Sequence, residues 1–338
     1  MSSVKSLLRY ENALIPTIGA AVYSITGWAG GLLLLVATSQ PLLLALGTVM
    51  LAHGMVIAAY MLHECAHQAI FKKREHNALA GEAFTWLTGS CYNRFDQIRH
   101  KHMRHHVDNA DIVAVDYRSW LQQNPGVLRI LRILEWLYIP AVELMLHGLM
   151  ICLPFLRESR RKDRVRTLTV VFIRGGLFVF LAWTAPIAAL LYIVAYMLFL
   201  TVLRFMDAFQ HNYDFFATLD GENGSPYKGD RAYEQAHTFS NPVSMKYPLL
   251  NWITLNFCYH NAHHEKPTVP WFQLPALHRE IVGDDDQQTI PFGEQLRVFH
   301  RQRIPRILSL EDESTDFRKR MALGQAVGAD GVSFLTAL

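Results

Sequence analysis

The chain alternates long uncharged stretches with short, heavily charged ones. Between Glu11 and Glu64 there is no Asp, Glu, Lys or Arg, an uncharged run of 52 residues. One membrane helix needs about 20 apolar residues, so the run has room for two. Ser39-Gln40-Pro41 divides it and predicts spans over about 13–37 and 42–62. A second apolar zone extends from Leu168 to Phe205, and Thr184-Ala185-Pro186 marks its turn, predicting spans over about 168–184 and 186–205. Arg174 falls inside the third span and must either snorkel or meet a partner in the bundle. Buried helices of soluble proteins rarely run so long without a polar face. The predicted fold class is therefore an all-α integral membrane protein with four transmembrane helices in two hairpins. The first apolar stretch is too long for a cleaved signal peptide and is followed at once by a second.

Between the hairpins, Leu128, Ile130, Leu131, Ile133, Leu134 and Trp136 are interrupted by Arg129, Arg132 and Glu135. This pattern predicts an amphipathic helix over about 128–156 lying in the membrane interface. Residues 214–247 are polar and turn-rich and read as a cytosolic loop. The expected organisation is a membrane domain over 1–280 and a C-terminal cytosolic tail over 281–338. Residues 71–166 hold 16 of the 32 Lys and Arg, the two tight turns hold none, and Lys5 and Arg9 precede the first span. Basic loops stay on the cytoplasmic side, which places both termini and the 71–166 segment there; a bacterial inner membrane is expected rather than the endoplasmic reticulum.

Composition agrees with this frame. Hydrophobic residues make up 51% and charged ones 18%, against about 25% charged in an average globular chain, and disorder is excluded. A net charge of +3 gives no reason to expect nucleic acid as a partner. Cys65, Cys91, Cys152 and Cys258 form no CxxC pair and no regular framework, so they read as reduced thiols. The outlying number is 16 histidines.

Most of those histidines are clustered. His63-Glu64-Cys-Ala-His67 closes the second span, His102-Met-Arg-His105-His106 follows in the basic segment, His211 comes after the fourth span, and His260-Asn-Ala-His263-His264 completes the series. Spacings of three and four put imidazoles on one helix face, and neutral imidazole is the commonest protein ligand for transition metals. These nine exceed what one ion takes, since a zinc uses four. Two ions would use them all, and the charge pattern puts every cluster on the cytoplasmic side. The fold class thus gains a helical cytosolic cap holding a His-rich di-metal site.

These clusters resemble the three His boxes of the membrane fatty acid desaturase family. His63-Glu64-Cys-Ala-His67 is similar to the first box and His102-Met-Arg-His105-His106 to the second. Tyr259-His260-Asn-Ala-His263-His264, with the following Pro267, Pro270 and Pro275, is similar to the third. Asp207-Ala-Phe-Gln-His211 stands where that family has an extra ligand, with Asp in a place where its acyl-CoA branch has Asn. The resemblance spans roughly 12–280. It implies two non-heme irons held by the nine histidines, and oxygen-dependent attack on an unactivated C–H bond of a fatty acyl or other lipid substrate. No heme motif of cytochrome b5 type is present. Electrons would come from a separate ferredoxin, rubredoxin or cytochrome b5 with its reductase. Double-bond formation is expected first; lipid hydroxylases, carotenoid hydroxylases and ketolases, and terminal-alkene-forming decarboxylases share the boxes. Asp207, Glu64, His100, His237 and Asn256 are candidates for holding a ligand or reaching a metal through a water. His100 competes with His102, which is preferred because its spacing repeats that of the third cluster.

Other readings use fewer of these residues. His63-Glu64-x-x-His67 is also a literal HExxH, the zinc protease motif, but that leaves the other clusters idle. A metal transporter would want its ionisable ligands at mid-membrane, not at span ends. Glu64-x-x-His67 and Glu234-x-x-His237 mimic the paired ExxH of soluble di-iron bundles, but Glu234 falls in the polar loop and the match reads as coincidence. His53 reads as a polar contact within the second span. His76, His147, His278 and His300 are expected at the surface. Asp108, Asp111 and Asp116 are expected to be solvated or to hold imidazole N–H groups.

Overall fold

The structure, a computed structural model, describes residues 6–221, 224–283, 287–309 and 316–337. Lys5 and parts of the expected C-terminal tail lie outside these residues. In chain order the helices begin with α1 (Leu14–Ala37), α2 (Pro41–Ala66), α3 (Arg74–Thr88) and α4 (Phe95–Asp108). Strand β1 (Asp111–Val113) precedes α5 (Tyr117–Gln123), α6 (Pro125–Trp136), α7 (Ala141–Leu156), α8 (Arg164–Thr184) and α9 (Pro186–Asp207). Strand β2 (Phe216–Thr218) is followed by α10 (Arg231–Ala236), α11 (His260–Glu265), α12 (Leu274–Ile281), α13 (Phe292–Arg301) and α14 (Phe317–Leu323). The helical segments Glu11–Ala37, Pro41–Ala66, Glu158–Thr184 and Pro186–Asp207 are long and apolar enough to cross a membrane. These match the four spans read from the sequence. The second reaches Ala66 and takes His63 and Glu64 into its last turn.

The chain forms two compact units, one of residues up to Ile98 with His147–Val202, the other of Arg99–Leu146 with Leu203–Ala337. In the first unit, glycines set how closely α1 meets α2. A Cβ on Gly31 would lie 2.6 Å from the Leu51 backbone nitrogen, and one on Gly54 would lie 2.6 Å from that of Trp28. Such small-residue contacts let helix backbones approach where lipid supplies no hydrophobic drive. Ser24 Oγ donates to Gly54 O across the same contact at 3.0 Å. Arg174 does not snorkel: its guanidinium donates to Trp86 O and, at 3.1 Å, to Tyr192 Oη. His147, expected at the surface, is buried, with Nδ1 against the Tyr92 hydroxyl.

The expected single helix over 128–156 is instead two, α6 and α7, with Tyr138 at φ +62° between them. Helix α6 and the first residues of α7 belong to the second unit. Pro140 disfavours helical backbone at the residue before it, and Glu135 then caps the new start, its Oε1 accepting from Ala141 N at 2.8 Å. Arg204 binds Asp330 through both carboxylate oxygens, at 3.0 and 2.7 Å, and lies 3.1 Å from Glu135. All three are buried. The 214–247 loop also carries structure, namely α10 and β2, which pairs in parallel with β1 (Ile112 opposite Ala217).

Neither unit is divided at residue 280. Phe317, Met321 and Ala326 share a core with Phe209 and Phe239. Beyond them, Gly328 takes φ +77°, and a Cβ there would lie 2.4 Å from Ala208 O. The described residues 326–337 continue along the unit's interior: Tyr117 Oη donates to Asp330 O at 2.6 Å. The buried Lys101 ammonium donates to Ser333 O at 2.6 Å and to Thr336 O at 2.8 Å.

Candidate metal centre

Three pieces of the second unit deliver histidines to one place. Helix α4 carries His102, His105 and His106, and α11 carries His260, His263 and His264. His211 follows the end of α9 in an isolated bridge with Thr238. The chain enters α11 through Leu255 and Asn256, both in the left-handed region at φ +44° and +55°, a conformation Asn tolerates better than Leu. Asn261, buried within α11, accepts from Ser240 Oγ at 2.7 Å and donates to Thr238 O. The same segment therefore holds His211 and the third His cluster in register.

The ligand atoms of His105, His211, His260 and His264 all lie within 4.8 Å of one another. His211 Nε2 is 3.0 Å from His105 Nε2 and 2.8 Å from His260 Nε2. Alongside, His106 Nε2 is 3.3 Å from His102 Nε2 and 3.2 Å from His263 Nε2. Seven of the nine expected imidazoles thus converge within this unit. His63 and His67 stand at the end of α2 in the first unit, their ring centroids 4.7 Å apart.

The outer nitrogens decide which protonation state these rings hold. His105 Nδ1 lies 2.9 Å from Ala110 O, which can only accept, so Nδ1 carries the proton and Nε2 a lone pair. Thr238 donates its hydroxyl to Glu234 O at 2.6 Å, so toward His211 Nδ1, at 3.3 Å, its oxygen accepts. His264 Nδ1 meets Glu234 Oε1 at 2.8 Å, and its buried Nε2 has no hydrogen-bond partner among the described residues. Burial, helped by the neighbouring imidazoles, holds His211 and His264 well below the usual histidine range. Burial also lowers His105 to about 4 and His263 to about 3. Neutral imidazoles aiming lone pairs at one another at 3 Å repel, and a cation between them removes the repulsion. The residues therefore fit a transition metal held by nitrogen, with the second ring nitrogen of His105, His211 and His264 tied to an oxygen.

Glu234 is the functional candidate that the sequence reading set aside. It sits on α10, started by Asp230, whose carboxylate accepts from Ala232 N and Tyr233 N at 3.0 Å. Glu234 is buried, and its other oxygen takes Arg231 Nη1 at 2.5 Å. His106, Glu234 and His264 also bring ligand atoms together within 4.8 Å.

The remaining candidates take other places. Helix α9 stops at Asp207, so Asp207 and His211 do not share a helical turn; Asp207 instead lines a cavity of about 50 Å³ with Lys101, His102, His105, His211 and His260. That volume admits a few waters or a diatomic molecule. His100 is exposed, whereas His102 is buried. His237 is half-buried, ties Nδ1 to Tyr233 O at 2.8 Å and stacks on that ring. Asn256 turns its amide to Trp271 O at 3.0 Å. Glu64 is buried in the last turn of α2. His278, expected at the surface, is buried beside Tyr259, and that burial, helped by the charge of Arg279, lowers it to about 4. Asp108 pairs with Arg104 at 2.6 Å and Asp116 starts α5.

Two comparisons with known proteins bear on this site. The family model described as fatty acid desaturase matches residues 39–295. A fatty acid desaturase of Bacillus subtilis (strain 168) is 24% identical over 299 residues, covering 81% of this chain and 75% of that protein.

Proposed function

The chain belongs to the fatty acid desaturase family, and from that premise we propose that it is an oxygen-dependent di-iron oxidase that introduces a double bond into a fatty acyl or other lipid chain. The observation that carries this reading is the set of Nδ1 contacts that turn the Nε2 lone pairs of His105, His211 and His264 toward one centre. In this proposal His105, His211, His260 and His264 hold one iron, and His102, His106 and His263 serve the other. The sequence resemblance assigns His63 and His67 to the same task. A zinc protease built on His63-Glu64-x-x-His67 would leave the seven convergent imidazoles without a role.

When bound, iron supplies the redox chemistry with dioxygen that removes hydrogen from an unactivated methylene group. The protein's own groups then have three tasks. Glu234, Ala110 O and Thr238 keep protons on the outer nitrogens of His264, His105 and His211, fixing tautomer and ring orientation. Tyr213 stacks on His211 with ring centroids 4.3 Å apart and restrains its tilt. The small cavity beside Asp207 leaves room for a reactant while Phe257 and Phe334 help exclude bulk water. The proposal includes a cytoplasmic site, interfacial placement of α6 and a separate one-electron donor protein.

Lipid profiling of cells with and without the gene product tests the reading. Appearance of an unsaturated product that needs both oxygen and His263 supports it. A hydroxylated or shortened product would replace desaturation by another reaction of the same site. An unchanged lipid profile would overturn it.

A further inference from the structure

One exposed apolar element is absorbed neither by the metal centre nor by the four spans. Met245, Tyr247, Leu249, Leu250, Trp252 and Ile253 crowd into nine residues, and each is 45–70% exposed. The rest of the element is built to hold that exposure. Asn251 is fully buried; it accepts from Ser244 N at 3.1 Å and donates to Ser244 O and Tyr259 Oη, both at 2.8 Å. Leu250 N finds Tyr247 O at 3.0 Å, Tyr247 N finds Ser244 Oγ at 3.0 Å, and Pro248 has no N–H to satisfy. The segment is thus a firm loop and short helix that turns its large side chains outward and pairs these backbone donors internally.

We propose that Met245–Ile253 inserts into the lipid bilayer as a monotopic element. Three observations select lipid over a protein partner. The backbone donors of Tyr247 and Leu250 are paired within the element, as entry into hydrocarbon requires, so they are not on offer to a partner that recognises backbone. Trp and Tyr beside aliphatic side chains are the composition of a membrane interface. Residues 235–264 contain no Asp or Glu and a single Lys, Lys246, whose exposed ammonium suits anionic headgroups on a snorkelling stem. The element is joined to α11 by the tight turn at Leu255 and Asn256, with His260 seven residues after Ile253. Its insertion would set the depth of the third His cluster at the membrane surface, where an acyl chain leaves the bilayer.

The test uses the full chain in nanodiscs of phosphatidylcholine and phosphatidylglycerol, with the exposed Cys152 replaced by Ser. Leu249→Cys carries an environment-sensitive fluorophore, Lys228→Cys carries the same label as a control, and Leu250→Cys is the second reporter should the first variant fail to fold. Insertion predicts a blue-shifted emission at 249 and several-fold stronger quenching by lipid spin-labelled near the headgroup end of its acyl chain than by aqueous iodide. Position 228 should show the opposite preference. Iodide quenching at 249 equal to that at 228, or a shift that depends on the number of protein copies per disc, overturns the proposal. The readout needs neither metal nor turnover, so its failure is separable from failure of the enzymatic reading.

Discussion

His264 presents Nδ1 to Oε1 of Glu234 at 2.8 Å, and its Nε2 is left facing the other imidazoles of the second unit. The proton is therefore held on the side away from those imidazoles. Glu234 in turn is held by Arg231, which also donates to His264 O at 3.1 Å. Glu234→Ala is expected to lower metal affinity about 10- to 100-fold without unfolding the protein. Glu234→Gln, whose amide oxygen still accepts, should recover much of it. Chelator competition on purified protein measures both; wild-type affinity in Glu234→Ala would remove this carboxylate from the site.

Metal content separates the di-iron reading from its rivals. Purified protein should hold about two irons per chain, because nine histidines exceed the needs of one ion. His105→Ala and His211→Ala should each lose iron while the chain still inserts into membranes. His100→Ala should keep iron, since that ring faces solvent. One zinc and no iron would favour the HExxH protease instead.

Acid should destabilise the metal-free protein over a defined window. In an unfolded chain, histidines take up protons below about pH 6.5. In the fold, burial holds His105 and His278 to about 4 and His263 to about 3. Between those limits the unfolded state binds more protons, so stability falls as pH falls. Burial raises the Glu143 carboxyl to about 7 and works in the opposite sense, but one carboxyl is outweighed by the three rings, so melting temperature in detergent should fall from about pH 6.5 toward pH 4. A level curve down to pH 5 would contradict the burial of these rings.

Asp330→Ala should be among the most damaging substitutions outside the His clusters. It strips the bidentate partner from buried Arg204 and leaves Glu135, with the charge of Glu143 nearby, to neutralise it. Breaking a buried pair from one side costs about 3–5 kcal/mol, and the remaining Glu135 contact places this case near the lower figure. Denaturant unfolding gives the value, and a cost within experimental error of zero would mean that Arg204 finds other partners.

The proposed orientation makes its own prediction. A reporter inserted at Gln40 should be active only on the outer face, and one placed after Arg166 only in the cytoplasm. The reverse pattern would overturn the reading based on basic residues.

What the sequence shows of this protein depends on how local each signal is. The spans and the His clusters repeat within one or two helical turns, so their spacing alone reveals them. Glu234 lies 30 residues from His264, and no local pattern marks it; its ExxH match with His237 even points to the wrong histidine. Tyr92 and His147 are 55 residues apart, which is why His147 reads as an isolated surface residue. The stop in α6 was signalled by Pro140, but the apolar run across 128–156 masked it. The Asp207–His211 spacing suggests a helical turn that α9 does not continue.

The cage around Lys101 has a consequence for biosynthesis. Its ammonium belongs to α4, next in sequence to His102, but the oxygens that receive it, on Ser333 and Thr336, are more than 200 residues further along. Ribosomes add roughly 5–20 residues per second, so α4 waits at least about ten seconds for those oxygens. Throughout that interval the nascent chain must keep a lysine solvated or chaperoned beside three imidazoles. A metal ion delivered before residues 326–337 have folded would meet a wall of the cavity still missing, so metal loading is expected to follow the folding of those residues.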